Sequence, residues 1–208
     1  QPLNILSLYC NDVRDSFFSN EINDKFIDDF SKNTKEQINF LSETIDDFRD
    51  FFNPNKHKMV FEIKDAIEKS LKFMGNQFEI NKVKVNVEYK DEKVYGIETE
   101  LEQVILNILN NSMDAFKERE IENKEINIKV LTKQFYTILI MEDNAGGVKE
   151  ESLEKIFDPY YTTKSTGTGT GLYMVKLVVK NSLQGDLKIN NSEKGLRYII
   201  ALPQKEES

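Results

Sequence analysis

Apolar residues recur at helical spacing at the start of the chain, at Leu3, Ile5, Leu6, Leu8, Tyr9, Val13 and Phe17, until Asn20 interrupts them. The spacing predicts a helix from Leu3 to about Phe18. A second run sets Ile22, Phe26, Phe30, Thr34, Ile38, Leu41, Ile45, Phe48 and Phe52 three or four residues apart, a single apolar stripe along a long helix. Two such helices form an antiparallel hairpin, which cannot cover both stripes by itself. The expected cover is a second copy, giving a four-helix bundle as a homodimer; packing against the rest of the same chain is the alternative.

The segment Asn53-Pro54-Asn55-Lys56-His57-Lys58 breaks the period with a proline, two asparagines and charges. It places the boundary between a helical hairpin over 1–55 and a second domain over 56–208. In that domain the pattern predicts a helix from Phe61 to Gln77, an alternating strand from Val83 to Tyr89 and a long helix from Glu98 to Arg119. Strands follow at Ile126–Leu131 and Tyr136–Met141, then a glycine-rich region, a helix from Gly171 to Ser182 and a hairpin around Ser192–Gly195. The expected class is α+β, with the second domain a two-layer α/β sandwich carrying helices on one face of a mixed sheet.

Composition narrows the picture. The 208 residues are 39% hydrophobic, enough for a core without cross-links, and the single Cys10 excludes an internal disulfide, so a reducing cytoplasmic setting is expected. The net charge of −8 comes from acidic and basic residues mixed along the chain, which argues against a protein that reads nucleic-acid backbones. The longest apolar stretches, Ile138–Met141 and Leu172–Val175, fall far short of the ~18 residues of a membrane span, so no membrane contact is expected of this segment. The start at Gln1-Pro2, without Met, suggests a piece of a longer protein.

Four segments carry candidate chemistry. On the long helix Gln103, Asn107 and Asn111 fall on one line beside the apolar face of Leu101, Val104, Ile105, Ile108 and Leu109. Neutral amides next to a core face suit a pocket wall, and an amide oxygen is a hard donor for Mg²⁺; an ordinary surface stripe is the plain alternative. The strand Ile138–Met141 runs into Glu142-Asp143-Asn144-Ala145-Gly146-Gly147-Val148. A carboxylate accepts hydrogen bonds and cannot donate them, so Asp143 suits the exocyclic amine of adenine and disfavours the carbonyl of guanine, whereas an Asp simply capping a tight turn is also common.

Gly167-Thr168-Gly169-Thr170-Gly171-Leu172 opens an apolar helix, an arrangement that lets backbone N–H groups approach phosphates or that serves only as a flexible loop. Between the glycine groups, Ile156-Phe157-Asp158-Pro159-Tyr160-Tyr161-Thr162-Thr163-Lys164 reads as a lid with an aromatic anchor, where Lys164 could meet phosphate, or as a packed surface loop. His57, the only histidine, reads as an exposed linker residue.

In this order the four segments resemble the N, G1, F and G2 boxes of histidine-kinase catalytic domains, in the family shared with DNA gyrase, MutL and the ninety-kilodalton heat-shock chaperone. The match runs from about Phe61 to Leu202, and the hairpin resembles the dimerisation and phosphotransfer helices of the same kinases. The resemblance implies a Bergerat-type ATP-binding fold with ATP and Mg²⁺ as ligands: Asn111 on the metal, Asn107 as a second polar contact and Asp143 on adenine. Gly147, Gly167, Gly169 and Gly171 would line the phosphate side and the lid hinges, and Tyr161, Thr163, Lys164, Thr168, Thr170 and Leu172 would complete the nucleotide contacts.

Gln1-Pro2-Leu3-Asn4 is similar to the tail of the family's H-box, so the resemblance places the phosphoacceptor histidine upstream of Gln1. It further implies a two-component kinase that passes its phosphoryl group to a response-regulator aspartate, either cytoplasmic or the cytoplasmic part of a membrane-anchored sensor. Two positions depart from the pattern: Ala145 stands where the family often has the first G1 glycine, and Thr170 holds a variable G2 position. Hydrolysing relatives carry a Glu one turn before the metal-binding Asn, and Asn107 cannot serve as that base. The competing expectations are a hydrolytic ATPase or serine kinase of the same family, and a non-enzymatic dimeric scaffold.

Overall fold

A computed structural model describes residues 2–19, 22–35, 38, 57–90, 92–162, 164 and 169–205. The chain divides into two compact units, Gln1–Pro54 and Asn55–Ser208. In the first, α1 spans Pro2–Phe18 and a second helix, α2, spans 24–35. Asn23 starts α2 by accepting the Phe26 N–H on its Oδ1 at 2.9 Å, the usual way an N-cap satisfies an orphan donor. Along α1, Leu8, Phe17 and Phe18 are exposed. The predicted continuation of the second helix lies outside the described residues beyond 35, except for Ile38, which is helical.

The second unit runs β1 (Met59–Glu62), α3 (Ile63–Asn81), β2 (Lys84–Glu88), β3 (Lys93–Gly96), α4 (Glu98–Glu118), β4 (Glu125–Lys133), β5 (Tyr136–Asp143), α5 (Glu150–Leu153), α6 (Gly171–Leu177), β6 (Asp186–Asn191) and β7 (Leu196–Pro203). The main sheet has the order β2-β4-β5-β7-β6. β2 lies parallel to β4 and every other pair is antiparallel, so the sheet is mixed, as the alternation predicts. β1 and β3 form a separate antiparallel ribbon.

Sequence and structure differ at three places. The helix expected from Phe61 begins at Ile63, because Met59–Glu62 pairs with Lys93–Gly96; strands of four residues are too short to show an alternation. The short α5 has the same excuse. The helix expected over Gly171–Ser182 is α-helical only to Leu177 and closes as a π-helical turn over Val178–Ser182.

Two buried rows set the position of the site. On β5 every second residue is buried, so Thr137, Leu139, Met141 and Asp143 share one face. On α4 the buried positions Leu101, Val104, Ile105, Ile108, Leu109, Ser112 and Phe116 form the opposing stripe. Each fully buried aliphatic side chain contributes about 1.5–3 kcal/mol, so this stripe anchors α4 firmly. Thr137 and Asp143 on β5 and Ser112 on α4 are the polar members of these two apolar rows. No helix among the described residues is long and apolar enough to cross a membrane.

Candidate functional site

Asp143 is only 5% exposed, yet its carboxylate is well supplied with donors. Oδ1 accepts the N–H of Ala145 at 2.9 Å and that of Leu196 at 3.2 Å, and Oδ2 accepts the Ser112 hydroxyl at 2.9 Å. An ionised carboxylate offers about four lone-pair directions, so these bonds hold it in place and leave room for one further donor. The buried phenol of Tyr198 lies nearby. Burial first, and the Asp143 charge second, push its pKa far above the ordinary tyrosine value, so it stays neutral.

The loop after Asp143 is tied down on both sides. Asn144 Oδ1 accepts the Glu125 N–H at 2.9 Å and its Nδ2 donates to the Asn123 carbonyl at 2.7 Å, fastening the loop to the start of β4. Arg119, at the end of α4, donates to the Ala145 carbonyl. Ala145 is buried and its φ is not positive; Gly146 and Gly147, at φ 88° and 67°, make the turn instead.

The amide line of α4 meets the other two motifs. Asn107 Nδ2 donates to the Gln103 carbonyl at 3.1 Å, and its Oδ1 lies 3.2 Å from where a Cβ on Gly171 would stand. Asn111 Oδ1 accepts from Lys164 Nζ at 2.9 Å, and the same ammonium reaches Asp114 Oδ2 at 2.7 Å. Ser112, the neighbour of Asn111, is the residue bonded to Asp143. Adjacent residues of one helix therefore face the carboxylate and the lysine.

The aromatic segment is closed at its neck, where the Tyr160 N–H donates to the Gly169 carbonyl at 2.9 Å. A Cβ on Gly169, whose φ is 67°, would come within 2.5 Å of the Tyr160 backbone, so only glycine fits there. Tyr161 donates its hydroxyl to Ser152 Oγ at 2.9 Å and packs the segment onto α5. Thr170 and the half-buried Leu172 flank Gly171 at the start of α6. Thr163, Gly167 and Thr168 lie outside the described residues, and His57 is exposed.

Among the described residues no group of three or more His, Cys, Asp or Glu could hold a metal ion. The donor set that the structure does assemble, one amide oxygen and one carboxylate oxygen around an ammonium, suits a cation that draws its other ligands from elsewhere.

Residues 96–206, more than half of the chain, match the family model for the histidine kinase-, DNA gyrase B- and HSP90-like ATPases. The chain belongs to that family. Within it the sequence is homologous to sensor histidine kinases: it is 25% identical to sporulation kinase A of Bacillus subtilis over 154 residues, 73% of this chain and 25% of that protein. The chain thus spans about a quarter of this relative's length. Two solved structures share the fold. The histidine kinase AdeS of Acinetobacter baumannii superposes with a TM-score of 0.70 at 19% identity, covering 99% of this chain and 96% of that one. The histidine kinase ThkA, in its complex with the response regulator protein TrrA, gives 0.67 at 19% identity over 99% of this chain and 58% of that chain.

Several residues that support this candidate site escaped the motif reading. Asn191, at the end of β6, pairs its side-chain amide with both main-chain groups of Val148: Oδ1 accepts the N–H at 2.8 Å and Nδ2 donates to the carbonyl at 2.7 Å. It sits against Gly147, where a Cβ would approach Asn191 Oδ1 to 2.5 Å. Nothing in the local sequence marks Asn191, because its partner is 43 residues away. Replacing Asn191 by Ala leaves both groups of Val148 without a protein partner. It is expected to destabilise the unit by about 1–3 kcal/mol and to weaken ATP binding, as read by thermal unfolding and calorimetry. Ser112, Arg119 and Gly195 were missed likewise; only Ser112 lay inside a recognised motif.

Proposed function

We propose that this chain is the catalytic portion of an ATP-dependent protein-histidine kinase. The observation that carries the reading is the Ser112 hydroxyl on Asp143 beside the cation-holding oxygen of Asn111, which ties an adenine acceptor to a metal ligand across one peptide bond. Asp143 would take the adenine amine on its remaining lone pair. Asn111 would ligate Mg²⁺, which when bound offsets phosphate charge. Asn107, Gly147, Gly169 and Gly171 would border the phosphates, with Tyr161, Lys164, Thr170 and Leu172 lining the approach, and the same roles extend to Thr163, Gly167 and Thr168.

In the proposed reaction a neutral imidazole nitrogen of a histidine N-terminal to Gln1 attacks the γ-phosphorus in line. The N–P bond forms as the bond to the β–γ bridging oxygen breaks, ADP leaves with that electron pair, and the other ring nitrogen loses its proton to solvent. Asn107 has no basic group with which to activate water, which favours transfer over hydrolysis. The exposed Leu8, Phe17 and Phe18 of α1 support a homodimer formed through a hairpin domain over 1–55, which precedes the catalytic domain over 56–208 in the chain. The ThkA–TrrA complex supports a response-regulator receiver domain as the phosphoryl acceptor.

A chain extended upstream tests this directly. With Mg·ATP it is expected to acquire acid-labile, base-stable phosphate that disappears when the upstream histidine is replaced, and Asn111→Ala should reduce labelling at least about tenfold by removing a metal ligand. Phosphoserine-like stability, or steady ATP turnover without labelling, would overturn the assignment.

A further inference from the structure

Asp114 lies in the same helical motif as Asn111 but has no role in the nucleotide contacts above, yet it shares a cation with Asn111. The Lys164 ammonium bridges Asn111 Oδ1 at 2.9 Å and Asp114 Oδ2 at 2.7 Å. Asp114 follows Asn111 by three positions on α4, so the two side chains are neighbours on one helix face and their oxygens can flank a common point. The lysine side chain is 26% exposed and that of Asp114 59%, so the pair is open to exchange with solvent ions. An ammonium is a compact point charge that satisfies oxygen donors much as a metal cation does, and two cations cannot occupy one oxygen pair without strong repulsion.

We propose that the Asn111–Asp114 oxygen pair is an exchange site, held by Lys164 in the nucleotide-free protein and yielded to the divalent cation that arrives with the nucleotide. The lysine is a tethered competitor: it screens Asp114 and occupies Asn111 until a better-ligated cation displaces it. The metal half of the proposal rests on the role given above to Asn111; the lysine half does not. Removing the lysine should therefore increase how strongly the divalent cation favours nucleotide binding, and removing Asp114 should free the lysine.

Two measurements on the whole 208-residue chain test both halves. In the first, the acylation rate of the Lys164 amine by an activated ester is read by peptide mass spectrometry without nucleotide. Asp114→Asn is expected to raise it about two- to fivefold, the range of a partly exposed ion pair. In the second, calorimetry gives the affinity for a non-hydrolysable ATP analogue with Mg²⁺ and with chelator. The ratio of the two should rise about two- to fivefold in Lys164→Met. An unchanged acylation rate overturns the lysine half. A wild type that responds to Mg²⁺ with the same ratio as Lys164→Met overturns the exchange alone. A wild type indifferent to Mg²⁺ overturns the role of Asn111 and the exchange with it.

Discussion

Asp143→Asn is expected to weaken ATP binding by roughly 10- to 100-fold while leaving the chain folded, because a hydrogen bond to a charged acceptor contributes about 1.5–3 kcal/mol and each ~1.4 kcal/mol is a factor of ten. The carboxylate receives two main-chain N–H groups and one hydroxyl, all donors. An amide of the same shape has only one acceptor atom. If that oxygen keeps Ala145 and Leu196, the NH₂ faces Ser112 and the ligand, and adenine's amine meets another donor. If the amide turns over, two main-chain N–H groups lose their acceptor. The first orientation is the less costly, and it suits a carbonyl. The loss for ATP should therefore come with a narrowed preference over GTP, since an amide NH₂ can serve the guanine oxygen. Calorimetry with both nucleotides reads this, and an unchanged ATP affinity would mean that Asp143 does not touch the base.

Gly195→Ala should cost both stability and binding. A Cβ there would stand 2.6 Å from Asp143 Oδ1 and from the Asp143 carbonyl carbon, far inside van der Waals contact. The obstruction is main chain on a central strand, so the hairpin between β6 and β7 must yield. The turn has little slack: Ser192 N–H donates to the Gly195 carbonyl at 2.8 Å and the Gly195 N–H to Ser192 Oγ at 3.1 Å. Overpacking of this kind destabilises by about 1–3 kcal/mol, occasionally more. Displacing the hairpin also withdraws the Leu196 N–H from Asp143, so ATP affinity falls with the melting temperature. Gly75 is the internal control. It lies in α3 with nothing within 4 Å of its Cβ position, and Gly75→Ala should be neutral or stabilising by up to about 1 kcal/mol. Equal melting temperatures for the two variants would contradict this account of Gly195.

The amount of this site that can be read along the chain follows from how far each signal extends. The row of α4 and the alternation of β5 are visible because burying one face imposes a period on every residue of a long element. A carboxylate closing one such row is therefore legible as an inward-facing group before any coordinates exist. The ribbon of β1 and β3 and the single turn of α5 are too short to impose a period, and the sequence shows nothing of them. The change to π-helical spacing after Leu177 is equally silent, since one pattern of apolar residues serves either winding over so few turns.

By itself the sequence determined the α+β class, the mixture of a helical unit with a sheet-bearing one, and the order of the four motifs, because those depend on local period and residue type. Tertiary structure alone decided that Ser112 grips Asp143, that Asn191 and Gly195 shape the loop and turn around it, and that Lys164 rests between Asn111 and Asp114. Such contacts join residues that lie from 31 to 53 positions apart. The helix and strand periods that reveal each element hold no record of which side chain stands opposite once the sheet has closed.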